Sequence, residues 1–95
     1  MEVRLTRSDR KHKKYKVVVD NKTIHFGDSR YSDYTHHKDE ARKQRYINRH
    51  KSNENWSKSG IKTAGFWSKH LLWNQPTIKG SIRNIESRFN VNITS

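Results

Sequence analysis

The sequence predicts a small single α+β domain, in which a β-hairpin, extended to three or four strands by the ends of the chain, packs with three short helices. Three observations carry this prediction. Residues 14–27 alternate apolar and polar side chains, as a half-buried pair of strands does. Residues 77–89 repeat apolar side chains at helical spacing. Residues 63–73 are apolar on nearly every side, which is typical of a buried helix, so we expect this helix to be the centre of the core.

The composition sets the size of the domain and the class of protein. With 95 residues the chain forms at most one domain, and a hydrophobic content of 29% would by itself indicate disorder. Three Trp, four Tyr and three Phe argue instead for a compact core, because each aromatic side chain buries a large area. The absence of cysteine excludes disulfides, and no apolar run approaches the length that crosses a bilayer.

The formal charge of +12 indicates a polyanionic partner, of which nucleic acid is the commonest. The densest group of cations lies in residues 1–14, which we predict to be a basic N-terminal arm before a compact domain of residues 15–95. A short strand at Glu2–Thr6 is compatible with this arm. The alternative to phosphate contact is a solvated, flexible segment. The arm residues expected to contact phosphates are Arg10, Lys11, Lys13 and Lys14.

The alternating stretch at 14–27 predicts a hairpin with a two-residue turn at 21–22. In that register Val19 faces Ile24. Two residues further along, Val17 faces Phe26, so both apolar pairs fall on the same face of the sheet. The alternation of Val91 and Ile93 predicts a last short strand beside the hairpin or the N-terminal strand.

Residues 35–51 are predicted to form a half-exposed helix, with acidic side chains in its first turn and basic ones in its last. Four cations recur at i, i+4, i+7 and i+11 and therefore line one narrow arc. Because the guanidinium fork matches phosphate oxygens, this arc is the second predicted nucleic-acid contact, and a solvated charged face is the alternative. The four residues are Lys38, Arg42, Arg45 and Arg49.

Two tyrosines, Tyr31 and Tyr34, lie in the loop that precedes this helix. Exposed loop tyrosines can stack on bases, whereas buried ones cover the core. The small core that the sequence predicts favours the second role for both residues.

No catalytic residue, metal or cofactor is predicted. The candidate ligands that come closest in sequence are His36, His37, Asp39, Glu40 and His50, and such a set beside cations is what a metal-dependent nuclease needs. Their spacing matches no known ligand motif, and surface histidines with carboxylates at a helix N-terminus account for the pattern. The chain also lacks a GxSxG motif and a glycine-rich phosphate loop.

Two segments resemble a family of viral proteins. The first contains HFGDSRYSDYTHHKD and RKQRYINRH, the second is TAGFWSKHLLWNQPT, and the resemblance covers over half of the chain. These segments are similar to small, basic, largely uncharacterised proteins of large nucleocytoplasmic DNA viruses of the chlorella-virus and mimivirus type. The resemblance implies a viral origin. It assigns no role to any residue, because it carries no established activity.

Charge and resemblance together predict a non-enzymatic, virion-associated protein that binds nucleic acid, DNA in the first instance, through its phosphates. We expect it in the virion and in the interior of the host cell, and not on a membrane. One alternative is a minor capsid or assembly protein whose cations meet acidic surfaces of other viral proteins. A metal-dependent nuclease built on the histidine cluster is the third hypothesis.

Overall fold

Four strands form a mixed sheet in the computed structural model, which describes all 95 residues. The strands are β1 (Glu2–Arg7), β2 (Lys13–Val19), β3 (Lys22–Asp28) and β4 (Asn92–Thr94). Their order across the sheet is β3-β2-β1-β4, with β4 parallel to β1 and the other neighbours antiparallel. Alternate side chains such as Val3 and Leu5 are buried against the helices, which matches the period of two in the sequence. The predicted last strand is confirmed as β4.

The predicted N-terminal arm is wrong, because its residues belong to the sheet. Strand β1 pairs with β2 in a register that sets Val3 opposite Val19, and it pairs with β4 on its other side. The basic segment between β1 and β2 is therefore the connecting loop of a hairpin. Because β2 pairs with Val3–Arg7 and β4 pairs with Glu2–Arg4, β1 is fixed to the domain and does not extend from it.

The hairpin of β2 and β3 exists, but its turn and register differ from the prediction. The two turn residues are Asp20 and Asn21, with φ of 48° and 66°, so Val17 faces Ile24. Positive φ at both central residues defines a type I′ turn, which matches the twist of the flanking strands and which Asn and Asp tolerate. The shift of two residues leaves the same side chains on the buried face.

Helices cover one face of the sheet and complete the α+β fold, which confirms the predicted fold class. They are α1 (Tyr34–His37), α2 (Glu40–His50), α3 (Ala64–Trp67) and α4 (Ile78–Phe89). A 3₁₀ turn (Lys58–Gly60) precedes α3, and a π-helical turn (Ser68–Leu72) follows it. None of these helices combines the length and the apolar character that crossing a membrane requires.

The single helix predicted over residues 35–51 is divided into α1 and α2. The Asp33 carboxylate accepts a hydrogen bond from the Thr35 amide at 2.9 Å and so begins α1. Asp39 begins α2 in the same way, accepting from the Ala41 amide at 3.0 Å. Lys38, between them, has a φ of 55° and ends α1 in the left-handed conformation. Two aspartate caps six residues apart therefore start two helices where the charge pattern predicted one.

The core lies between the sheet, α3 with its π-helical turn, and α4. Thr63 caps α3 through its hydroxyl, which accepts from the Phe66 amide at 3.3 Å, and Thr77 caps α4 in the same manner. The amphipathic helix at the C-terminal end was predicted from its apolar spacing. Gly27 in β3 has a φ of 78°, and a Cβ on it would lie 2.7 Å from Leu72 Cδ1. The sheet can therefore approach the π-helical turn this closely only at a glycine.

Candidate nucleic-acid interface

Three arginines form an exposed cationic face on α2. Arg42, Arg45 and Arg49 are all exposed, and none of them forms an ion pair. Helical geometry places them within an arc of about 60° and over a length of about 10 Å. We call these three residues the arginine face. Because no internal partner neutralises these charges, they repel one another and remain available to an anionic partner.

Lys38 does not belong to the arginine face, which corrects the predicted four-residue arc. It ends α1, and its Nζ donates to the Thr35 carbonyl oxygen at 3.1 Å. Since α2 begins only at Glu40, helical spacing does not relate Lys38 to the arginines. Lys38 is exposed near the start of α2, but it does not share a helix face with the three arginines as predicted.

Lys14 is also removed from the predicted contacts, because it forms an internal ion pair with Asp33. The Asp33 carboxylate is buried and receives hydrogen bonds from Lys14 of β2 and from Thr35. Burial acts to raise the pKa of Asp33, but these hydrogen bonds outweigh it, so the pKa lies below its usual value. An ammonium group that neutralises a buried carboxylate is not free to bind phosphate.

The other three predicted contacts of the N-terminal segment lie on or beside the loop that joins β1 to β2. Arg10, Lys11 and Lys13 are exposed. The Lys13 amide donates to the Arg10 carbonyl at 3.2 Å, and His12 has a φ of 65°, so the chain turns tightly here. The loop therefore presents its cations from a fixed position and not from a mobile arm.

A cleft of about 520 Å³ brings the two groups of cations together. The end of the sheet contributes Lys13 and Lys14 to its lining, and α2 contributes Arg49 and His50. Tyr31 also lines this cleft. One residue of the arginine face, Arg49, and the first residue of β2, Lys13, thus border the same space, although they are 36 positions apart in the sequence.

An aromatic stack holds α2 on the domain. The buried ring of Tyr46 lies parallel to Trp73, with centroids 4.4 Å apart and planes 3° apart, and it packs on His50 at 4.5 Å. The ring of Trp56 also stacks on Tyr46, with a longer distance of 6.5 Å between the ring centroids. Lys43 adds a polar contact, since its Nζ donates to the Asn74 carbonyl at 2.7 Å. The stack on Tyr46 and the Lys43 contact therefore fix the position of the arginine face.

We expect the Tyr46→Ala variant to release α2 while the sheet stays folded. Removing a buried aromatic ring costs about 3–5 kcal/mol, and here that loss falls on the contact that holds α2. Hydrogen exchange measured by NMR should become faster for the α2 amides than for those of β1 and β2. The Tyr46→Phe variant keeps the ring and should exchange like the wild type. Uniformly faster exchange throughout Tyr46→Ala would show that α2 is not a separate unit.

The candidate metal ligands are not gathered into a site. His36 pairs with Asp33, the Asp39 amide donates to His37 Nδ1 at 3.0 Å, and His50 packs on the stack described above. No group of three or more His, Cys, Asp or Glu side chains is placed to hold a metal ion. The geometry thus gives no support to the nuclease hypothesis in the form in which the sequence suggested it.

Two residues at the cleft were missed or misjudged by sequence reasoning. Tyr34 is buried, as the sequence predicted, but Tyr31 is 70% exposed at the rim of the cleft. Glu54 also lines the cleft, and it forms no ion pair. Glu54 lies in a polar connector without any pattern, so only the three-dimensional arrangement could reveal it.

The fold and the surface define a small α+β domain with an arginine face beside an aromatic-lined cleft. Residues 3–50 match a family of unknown function (DUF5754), and the chain belongs to that family. The match runs from β1 to the end of α2 and so contains all eight cations that the sequence singled out. No curated protein and no solved structure is significantly similar to the chain.

Proposed function

We propose that this protein binds nucleic acid, without catalysing a reaction, through phosphate contacts made by the arginine face and by Arg10, Lys11 and Lys13. The observation that carries the proposal is the set of three exposed arginines without internal partners, in a chain of formal charge +12. Arginine binds phosphate oxygens in a bidentate manner, and each neutralised phosphate releases a counterion. Association with a virion, as the viral resemblance implies, remains part of the proposal.

The fixed position of these cations supports contact with a regular polyanion. About 10 Å separates the ends of the arginine face, which suits two or three successive phosphates of one strand. The hairpin loop extends the charged surface beyond the helix, because Lys13 and Arg49 border the same cleft. Nothing in this arrangement selects a base sequence, so we expect binding that depends on salt far more than on sequence.

The proposal is tested by replacing the arginine face with glutamine, as Arg42→Gln, Arg45→Gln and Arg49→Gln together. Fluorescence anisotropy with a labelled ~20-base-pair duplex, from about 50 to 300 mM salt, gives the affinity and its salt slope. The triple variant should bind about ten-fold or more weakly at the lower salt, and its log–log slope should fall by about two to three.

A second triple variant serves as the control, because it removes the same amount of charge elsewhere. It replaces Lys79, Arg83 and Arg88 of α4, which are also exposed, with glutamine. We expect this variant to lose much less affinity than the first. Equal losses of affinity in the two variants would mean that only the net charge matters. An unchanged salt slope in the first variant would show that α2 does not contact the nucleic acid. If the wild type binds no duplex and no single strand, its cations meet a different partner, such as an acidic protein surface.

A further inference from the structure

The cleft beside the arginine face has the size and the lining of a site for one nucleotide. Its volume of about 520 Å³ is too small for a duplex but large enough for a base with its sugar. Apolar and aromatic side chains, among them Phe26, Tyr46 and Trp73, form its floor. Lys13 and Arg49 also line it and offer positive charge for the phosphates next to the base.

Tyr31 is the ring in this cleft that is free to stack on a base. The rings of Tyr46 and Trp73 already lie against each other at 4.4 Å, whereas Tyr31 is 70% exposed. A short turn holds it in place, since the Tyr31 amide donates to the Asp28 carbonyl at 3.1 Å. Arg30 braces the same turn through two hydrogen bonds to the Asp28 carboxylate, at 3.0 and 2.9 Å. An exposed aromatic ring on a fixed turn is positioned for a ligand and adds nothing to the core.

Glu54 supplies an acceptor within the same cleft. The two other carboxylates of the lining are already paired, Asp28 with Arg30 and Asp33 with Lys14. Glu54 has no basic partner, and it lies close enough to Tyr46 for its charge to affect the pKa of the phenol. Burial, and secondarily this carboxylate, raises the pKa of Tyr46 to about 12. A free carboxylate beside an apolar floor can accept from the exocyclic amino group of a base.

We propose that this cleft binds one unpaired base of a single-stranded nucleic acid, stacked on Tyr31, with its flanking phosphates on Lys13 and Arg49. This inference rests on the proposed function, because the arginine face has to hold the strand beside the cleft. Binding of a base in the cleft adds a preference for single strands over duplexes, which phosphate contacts alone do not give. Glu54 further favours bases that carry an amino group, such as cytosine, over thymine or uracil.

The test compares single strands and a duplex at one salt concentration by fluorescence anisotropy. The probes are ~12-nucleotide single strands of DNA and RNA with the same mixed sequence, and the duplex of that DNA. The wild type should bind at least one of the single strands more tightly than the duplex, and the two single strands show which sugar is accepted. The Tyr31→Ala variant should bind the preferred single strand about ten-fold more weakly and leave duplex binding unchanged. The Tyr31→Phe variant, which keeps the ring, should behave like the wild type.

The outcomes separate the cleft from the arginine face. If single strands and duplex bind equally, or if Tyr31→Ala changes neither, the cleft holds no base, although phosphate binding by α2 stands. If no probe binds, both proposals fall. Loss of duplex binding in Tyr31→Ala would also contradict the inference, because a duplex cannot place a base in the cleft.

The role of Glu54 is tested with homopolymers. Wild-type protein should prefer a ~12-nucleotide deoxycytidine strand to a thymidine strand, and Glu54→Gln should reduce that preference. The Glu2→Gln variant, on an exposed position of β1 away from the cleft, removes the same single negative charge and controls for a general change of surface charge. Equal affinity of the wild type for the two strands would exclude Glu54 from base recognition.

Discussion

The Trp67→Ala variant is expected to lose about 3–5 kcal/mol of unfolding free energy. Trp67 is completely buried, and its ring packs on Phe26 and Phe66 with centroids 6.4 and 5.3 Å apart. Its Nε1 donates to the Ile61 carbonyl at 2.7 Å, so the variant also leaves a buried acceptor without a partner. A domain of this size is stable by about 5–14 kcal/mol, so the variant approaches or crosses the limit of folding.

Urea unfolding followed by circular dichroism measures this loss. The fluorescence of the two remaining tryptophans, Trp56 and Trp73, provides a second probe of the same transition. The Trp67→Phe variant separates the two contributions. It keeps most of the apolar volume, lacks the hydrogen bond to Ile61, and should lose about 1–3 kcal/mol. A loss below about 1 kcal/mol in Trp67→Ala would mean that the side chain does not occupy the centre of the core.

The second large effect is a loss of stability in mild acid, caused by His70. This side chain is 1% exposed, packs on the rings of both Phe66 and Phe89, and donates from Nε2 to the Trp56 carbonyl at 2.8 Å. Its Nδ1 is buried without a partner. Burial, assisted by the charges of Lys69 and Arg88, lowers the pKa of His70 to about 4.

The sign of the effect follows from proton binding. The pKa of His70 is 6.5 in the unfolded chain and about 4 in the folded one. Between these values the unfolded chain holds a proton that the folded chain lacks, so stability falls as the pH decreases from 6.5 to about 4. The full loss is about 3 kcal/mol. Carboxylates whose pKa is lowered in the folded chain, such as Asp33, also reduce the stability as the pH falls. Their effect lies below pH 3.8, the ordinary pKa of an aspartate.

Thermal or urea unfolding from pH 7.5 to pH 4.5 tests this expectation, at roughly half-unit steps. Burial also lowers the pKa of His37, so this residue contributes in the same range. The His70→Gln variant should be much less sensitive to pH, whereas His37→Gln should keep most of the slope. A wild-type stability that stays constant between pH 7 and pH 5 would show that His70 is accessible to protons in the folded state.

The parts of the fold that sequence reasoning predicted are those that neighbouring residues determine. Alternating side chains revealed the strands, and apolar side chains at helical spacing revealed α4. The errors arose where a short side chain overrides a periodic pattern. Asp39 begins a new helix inside the predicted one, and Asp20 and Asn21 adopt positive φ and move the turn. Pattern and charge do not reveal such local hydrogen bonds and dihedral angles.

The candidate site was predictable only in part, for a similar reason. Helical spacing alone places Arg42, Arg45 and Arg49 on one face. The internal pairing of Lys14 with Asp33 depends on a contact 19 positions away, so the sequence presented Lys14 as a free cation. The cleft needs the sheet, α2 and α3 to meet, and no local signal encodes that meeting.

The parallel pairing of β1 with β4 joins the two ends of the chain. The Asn92 amide donates to the Met1 carbonyl at 2.9 Å, and the Asn92 side chain contacts the Glu2 carboxylate across 90 positions. Closing so long a loop is entropically costly, so we infer that β4 docks late in folding. Until it does, β1 is an open sheet edge that can pair with another molecule.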